Sequence, residues 1–276
     1  MNAKVTGTLF AVSIAIVGGL NSSCSSSNAP QPGTPAFYWA AANETFTAGD
    51  YAKTRDHLEK IVASENEYKA RAEPWLLILT SGAIRGYLDV ADNLEYGVRA
   101  KKGDPGNFRK YISNYRSTAG RLTLNFAEAF MRFQKGKDDP VPLAFGYPHG
   151  TAAPLQELTK ASEGYPLQPA EIEAAQRRAA EREVLLETCR AAGAPDDTAK
   201  TLELFKPGNV QVPRATFLTA MANSLYEQAQ LYSPRKLDDG EKLKTFSNLA
   251  STALKSIPET KQTKELMAKI EKGQKK

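Results

Sequence analysis

Cysteine and histidine are scarce in this chain, and each shortage closes off a class of chemistry. The two cysteines are Cys24 and Cys189. One bridge needs no more, but their contexts differ: Cys24 follows an apolar run and precedes a serine tract, whereas Cys189 lies inside a helical pattern. Cys189 is read as a buried, inert thiol. The two histidines, His57 and His149, have no Cys or His at metal-ligand spacing, so no metal site is expected. No glycine-rich phosphate loop or dinucleotide fingerprint occurs, and no nucleophile motif supports a Ser-His-Asp or Cys-His arrangement. The acidic pairs Asp138-Asp139 and Asp238-Asp239 sit in turn-like stretches and read as caps or solvated turn residues. We therefore expect no cofactor and no enzymatic activity. The formal charge of +5 is spread among interleaved acids, with no basic stripe carrying aromatics, which argues against nucleic acid.

Strand signals are also poor, because no run alternates cleanly over six residues. Ala, Leu, Glu, Lys and Gln dominate, with 24% charged and 41% hydrophobic residues. The expected class is all-α, as one large helical domain or two small ones. The clearest unit is residues 37–62. Tyr38, Ala41, Ala42, Thr45 and Phe46 share one helical face, and Leu58, Ile61 and Val62 share another. Gly49 suits the positive φ that ends a helix, and Asp50 suits the cap of the next. Two short helices so joined must lie antiparallel, and neither buries its apolar face alone.

The Gly49-Asp50-Tyr51 turn and the Glu59-Lys60 pair resemble the tetratricopeptide repeat. So do Phe246, Ala250, Ala253-Leu254 and Pro258 near the C-terminus. Thr54 departs from the pattern where Ala is usual, Arg55 where an apolar residue is usual, and no Pro closes the first repeat near Asn66. No repeat of about 34 residues overlays end to end. The resemblance covers the first hairpin and the last pair, and implies antiparallel hairpins stacked as a short, degenerate solenoid or bundle. Such helix pairs bind partners on a concave face without chemistry.

Residues 1–23 read as a signal peptide. Lys4 supplies the positive start, and residues 5–20 are mostly apolar, short for a bilayer span of about 20 residues. Small residues before Cys24 resemble the bacterial lipoprotein signal, which implies acylation of Cys24. Ser25 after it, rather than Asp, resembles the pattern retained at the outer membrane. Ordinary signal-peptidase cleavage near Ser23 is the rival, and an uncleaved anchor a third outcome. Residues 24–36, rich in Ser, Pro, Gly, Asn and Gln, make a flexible tether. The expected place is the bacterial cell envelope, on the periplasmic face of the outer membrane.

A helical domain over 37–272 follows. Glu73-Pro74 reads as the start of a long helix to residue 100, with Leu76, Leu79, Ala83, Gly86, Tyr87, Val90, Ala91 and Leu94 in one stripe. Its Gly82, Ala83 and Gly86 would let another helix approach closely. Residues 101–106 form a turn. Residues 108–134 are a second long helix, with Tyr115, Leu124, Phe126 and Phe130 on its apolar side. Residues 136–169 lose the periodicity and form a Pro-rich loop with a short helical turn at 155–161, either a structural crossover or a recognition loop. The helix over 170–192 turns Ile172, Ala175, Ala179, Leu185, Leu186 and Cys189 inward, and Arg177, Arg178, Glu181, Arg182 and Glu183 outward. Asp196 or Asp197 caps a shorter helix, and helices over 214–232, 241–257 and 260–272 complete the chain.

Tyr87, Tyr115, Phe126, Phe130 and the loop residue Tyr147 are the candidate ligand or partner surface. The expected function is a non-enzymatic, lipid-tethered scaffold that holds a protein or peptide partner of the envelope. The alternative rests on a looser likeness to the tetratricopeptide lipoproteins associated with TRAP-type transporters. It implies a helical bundle with an internal cavity, serving as the small-molecule-binding component of a periplasmic transport system. A deep apolar pocket lined by Tyr87, Tyr115, Phe126 and Phe130 would favour that alternative.

Overall fold

Thr34 starts the first helix, its Oγ1 accepting from Phe37 N at 3.2 Å. The computed structural model describes residues 30–100, 105–137 and 139–274. Residues 1–23, Cys24, most of the tether and most of the 101–106 turn lie outside them. Among the described residues the chain is mostly helical: α1 Pro35–Thr47, α2 Tyr51–Val62, α3 Lys69–Ala100, α4 Pro105–Lys135, α5 Gln156–Ser162, α6 Pro169–Ala191, α7 Thr198–Phe205, α8 Arg214–Ala229, α9 Gly240–Lys255 and α10 Lys261–Gln274. The three-residue strands β1 Val141–Leu143 and β2 Val210–Val212 pair antiparallel, with Pro142 opposite Gln211.

The α1–α2 hairpin forms where the turn chemistry places it. Gly49 has φ +75°, and the Asp50 carboxylate accepts from Lys53 N at 3.1 Å. Thr54 is fully buried, and its hydroxyl donates to Asp50 O at 2.9 Å and lies 3.0 Å from Thr45 Oγ1 across the hairpin. Thr54 is thus buried with its hydroxyl satisfied.

Helix α3 is the centre of the fold. It starts at Lys69, a turn earlier than expected, so Pro74 lies inside it. As the sixth residue it lies just beyond the first four amides, which have no internal partner, so it forfeits one interior bond near the helix start. Residues 74–82 are buried on every side rather than along one stripe, as a helix enclosed by others requires. Helices α2, α4, α5, α6 and α8 all pack on α3. The contacts with α5 and α6 are close: a methyl on Gly97 would collide with Ala161 O of α5. A methyl placed on Gly82 would stand 2.6 Å from Val184, and one on Gly86 would stand 2.6 Å from the Ala180 backbone. The small residues of α3 thus admit a neighbouring helix, as their spacing anticipates.

The main core gathers Trp75, Phe126, Phe130, Phe217 and Leu225 with residues from both ends of the chain. A second, smaller core joins Val90 and Leu94 of α3 to Phe108, Leu158, Ala161 and Ile172. The Pro-rich loop is built into both. Phe145 enters the main core and Leu155 the second, while β1 ties residues 141–143 to β2. This favours the structural crossover. Two expectations about facing are corrected. Glu183 is buried, because α6 packs along α3, with Arg85 of α3 near its carboxyl; Leu124 is exposed, one position off the inward stripe of α4.

Candidate functional site

The five candidate aromatics do not share a pocket. Phe126 and Phe130 are fully buried, their rings stacked 6.0 Å apart in the main core. Tyr147 lies half-buried against α7, donating to Thr198 O at 3.2 Å with its ring edge-on to Phe205. Tyr115 packs between Tyr87 and Tyr111, at 5.3 and 5.6 Å between centroids. Burial is the main reason its hydroxyl is pushed up to about 12, aided by Tyr111, Glu173 and Tyr87. Of the five, Tyr87 lines an open cleft.

That cleft, of about 370 Å³, opens at the Gly49-Asp50-Tyr51 turn between α2, α3 and α6. Its floor is the seam where α3 and α6 meet, formed by Leu79, Ala83, Ala180 and Val184. Arg55, Arg177 and Glu181 stand around it with Tyr87. Asp50 is also on the wall, but its carboxylate is engaged by Lys53 at 2.7 Å and is held below the usual range, first by that bond. Tyr51 fixes the turn from behind. Its hydroxyl accepts from His149 N at 2.7 Å and donates to His149 O at 3.2 Å, and burial raises its pKa. Gly150, at φ +124°, lets the loop pass close to Glu181 O.

A second, more polar cleft of about 560 Å³ lies between the end of α6 and helix α8, with Arg190, Asp196, Asn223, Glu227 and Gln262 on its walls. Behind it is a charge cluster joining α3, α6 and α8. Arg85 pairs with both Glu187 and Glu227, and Arg190 reaches Glu187 Oε1 at 2.5 Å. Glu187 is fully buried, and its other oxygen accepts from Ser224 Oγ at 2.6 Å. Two guanidinium groups and a hydroxyl occupy this carboxylate, which suits a structural clamp rather than a proton-transfer group. Glu183, one turn earlier, has its pKa raised by burial, opposed by Arg85, Arg182 and Arg190.

Cys189 is buried, and desolvation raises its thiol pKa, as an inert thiol requires. Among the described residues no group of three or more His, Cys, Asp and Glu side chains is placed to hold a metal ion. Nor is any helix there long and apolar enough to cross a membrane.

No known protein family, curated protein or solved structure matches this chain.

The cleft at the turn therefore has to be understood from its own side chains. Sequence reasoning picked out Tyr87 and the turn but not Arg177, and saw Arg55 only as a departure from a repeat pattern. That departure was the available signal: a guanidinium replacing an apolar residue on an inward-leaning face must find somewhere to go. Arg85, Glu187, Ser224 and Glu227 were missed as a group, since nothing local to any of them marks their meeting.

Proposed function

We propose that the chain is a non-enzymatic helical scaffold, tethered in the bacterial cell envelope by a lipid on Cys24. Its tetratricopeptide-like hairpins, α1–α2 and α8–α9, frame a body that holds a protein or peptide partner at the turn cleft. The carrying observation is that cleft: an apolar floor ringed by charged side chains, beside the best-formed hairpin, in a fold that spends Phe126 and Phe130 on its core. The burial of Phe126 and Phe130 supports the partner reading over a deep apolar ligand cavity. The tether over residues 24–36 gives such a scaffold reach from a membrane surface.

A photo-crosslinking residue placed at exposed Ala52, on the cleft wall, tests this in envelope preparations. A defined partner band is expected there, and not from the same residue at exposed Lys244 on α9. Equal capture at both positions, or none at Ala52, sinks the reading. For the tether, the mature protein is expected to begin with an acylated Cys24 by mass spectrometry. An unmodified start elsewhere would replace lipid anchoring with ordinary secretion.

The size of the cleft gives one ground for the second reading, a small-molecule-binding component of a periplasmic transport system, because about 300–1,000 Å³ is the usual range of ligand pockets.

A further inference from the structure

Arg55 occupies the position where a tetratricopeptide helix carries an apolar residue, and it lines the cleft. Its side chain is 19% exposed and forms two long ion pairs, with Asp56 at 3.7 Å and Glu59 at 3.6 Å. Those distances are beyond hydrogen-bond reach, and the buried Nε has no hydrogen-bond acceptor. On the α6 wall, Arg177 is exposed and forms no ion pair among the described residues. Two guanidinium groups with donors left over for a ligand thus border one floor of Leu79, Ala83 and Val184, with Tyr87 also on the lining.

Guanidinium forks match a carboxylate, and an apolar floor matches a hydrocarbon body. The acids on the wall narrow the choice. Asp50 is neutralised by Lys53, whereas Glu181 forms no ion pair among the described residues and opposes a second negative charge on the ligand.

We propose that this cleft binds a single carboxylate carried on an apolar body, gripped by Arg55 and Arg177. Two sources offer that chemistry: the C-terminal apolar residue of a peptide, and a free monocarboxylic acid. The inference rests on the binding reading given above and names what the site recognises.

Titration of the full-length chain with N-acetyl-leucine and with its amide, followed by calorimetry, tests the charge requirement. The acid is expected to bind and the amide to bind about tenfold more weakly or worse, the loss that follows removal of a charge-assisted bond. A short peptide ending in Leu, with free or amidated C-terminus, provides the second arm. Tighter binding of the free-ended peptide than of N-acetyl-leucine assigns the site to a partner's tail, and equal binding assigns it to a free acid. Arg177→Gln, at an exposed position, is expected to weaken the acid about tenfold with an unchanged melting curve. Ala83→Leu, which fills the floor, should weaken acid and peptide alike.

Equal affinity for acid and amide, no binding of either at millimolar concentration, or indifference to Arg177→Gln overturns the proposal. A partner crosslinked at Ala52 with equal yield from the Arg177→Gln chain would overturn it alone and leave the scaffold standing. Binding of the acid with no crosslinked partner would do the reverse.

Discussion

Ser224 Oγ donates a 2.6 Å hydrogen bond to Glu187 Oε2, and both side chains are fully buried. The bond joins α8 to α6, while Arg85 of α3 holds the opposite oxygen. A buried carboxylate is tolerated only when its lone pairs are filled, and here three elements supply the donors. Removing the anion leaves Arg190 without this carboxylate and Arg85 with Glu227 alone, in a half-buried site. Glu187→Ala is expected to destabilise the fold by about 3–5 kcal/mol. In a domain of this size that lowers the melting temperature by roughly 10 °C, read by circular dichroism. Ser224→Ala should cost less, about 1–3 kcal/mol, because the ion pairs survive. A Glu187→Ala chain that melts with the parent would show that the cluster adds nothing to stability.

Glu183 gives a pH-dependent counterpart. Burial raises its carboxyl above the ordinary 4.5, so the folded chain takes up this proton at a higher pH than the unfolded chain does. Its contribution to stability is fully present below that ordinary value and is lost as pH rises through the folded one. Glu183→Gln removes the titration. The variant should melt near the parent at about pH 4 and above it at about pH 7, with the gap widening between. A constant gap across that range would contradict the assignment.

Tyr51 braces the turn against the loop through both of its hydroxyl bonds to His149. Tyr51→Phe leaves that backbone N–H and carbonyl without their partner, at a cost of about 1–3 kcal/mol. The effect should be local. Hydrogen exchange is expected to quicken over residues 144–151 while the amides of α3 keep their protection. Unchanged exchange in the loop would mean that other contacts hold it.

Gly86 tests the α3–α6 seam. Alanine is favoured over glycine in a helix by up to about 1 kcal/mol, so on propensity alone Gly86→Ala should stabilise. The added methyl, however, would meet the Ala180 backbone at 2.6 Å, and backbone cannot swing aside as a side chain can. Overpacking of about 1–3 kcal/mol outweighs the gain, and the melting temperature should fall by several degrees. A rise would mean that the helices separate freely.

The elements of this fold were legible because their signals are local. Asp50 and Asp197 cap where they stand, accepting from Lys53 N and Lys200 N, and the Gly82–Gly86 pair announces a close helix. What stayed hidden depends on partners far along the chain. Glu183 looks like one more outward acid of a charged helix until packing against other helices buries that face. The strands β1 and β2 are three residues each and too short to show alternation, and they find each other across an intervening run of helices. The cleft was half legible. Its turn and Tyr87 follow from motif and periodicity, while the meeting of Arg55 with Arg177 needs α2 and α6 on the same side of α3.

The aromatic contacts around Trp75 carry a consequence in time. Trp75 meets Phe46 at 4.9 Å from its own neighbourhood, but Phe145 at 5.3 Å and Phe205 at 6.3 Å come from far down the chain. As the polypeptide emerges from the ribosome, the first hairpin and α3 are complete long before either ring arrives. Short helices are marginal until their apolar faces are covered. The packing around Trp75 in the N-terminal third is therefore completed only by residues made much later.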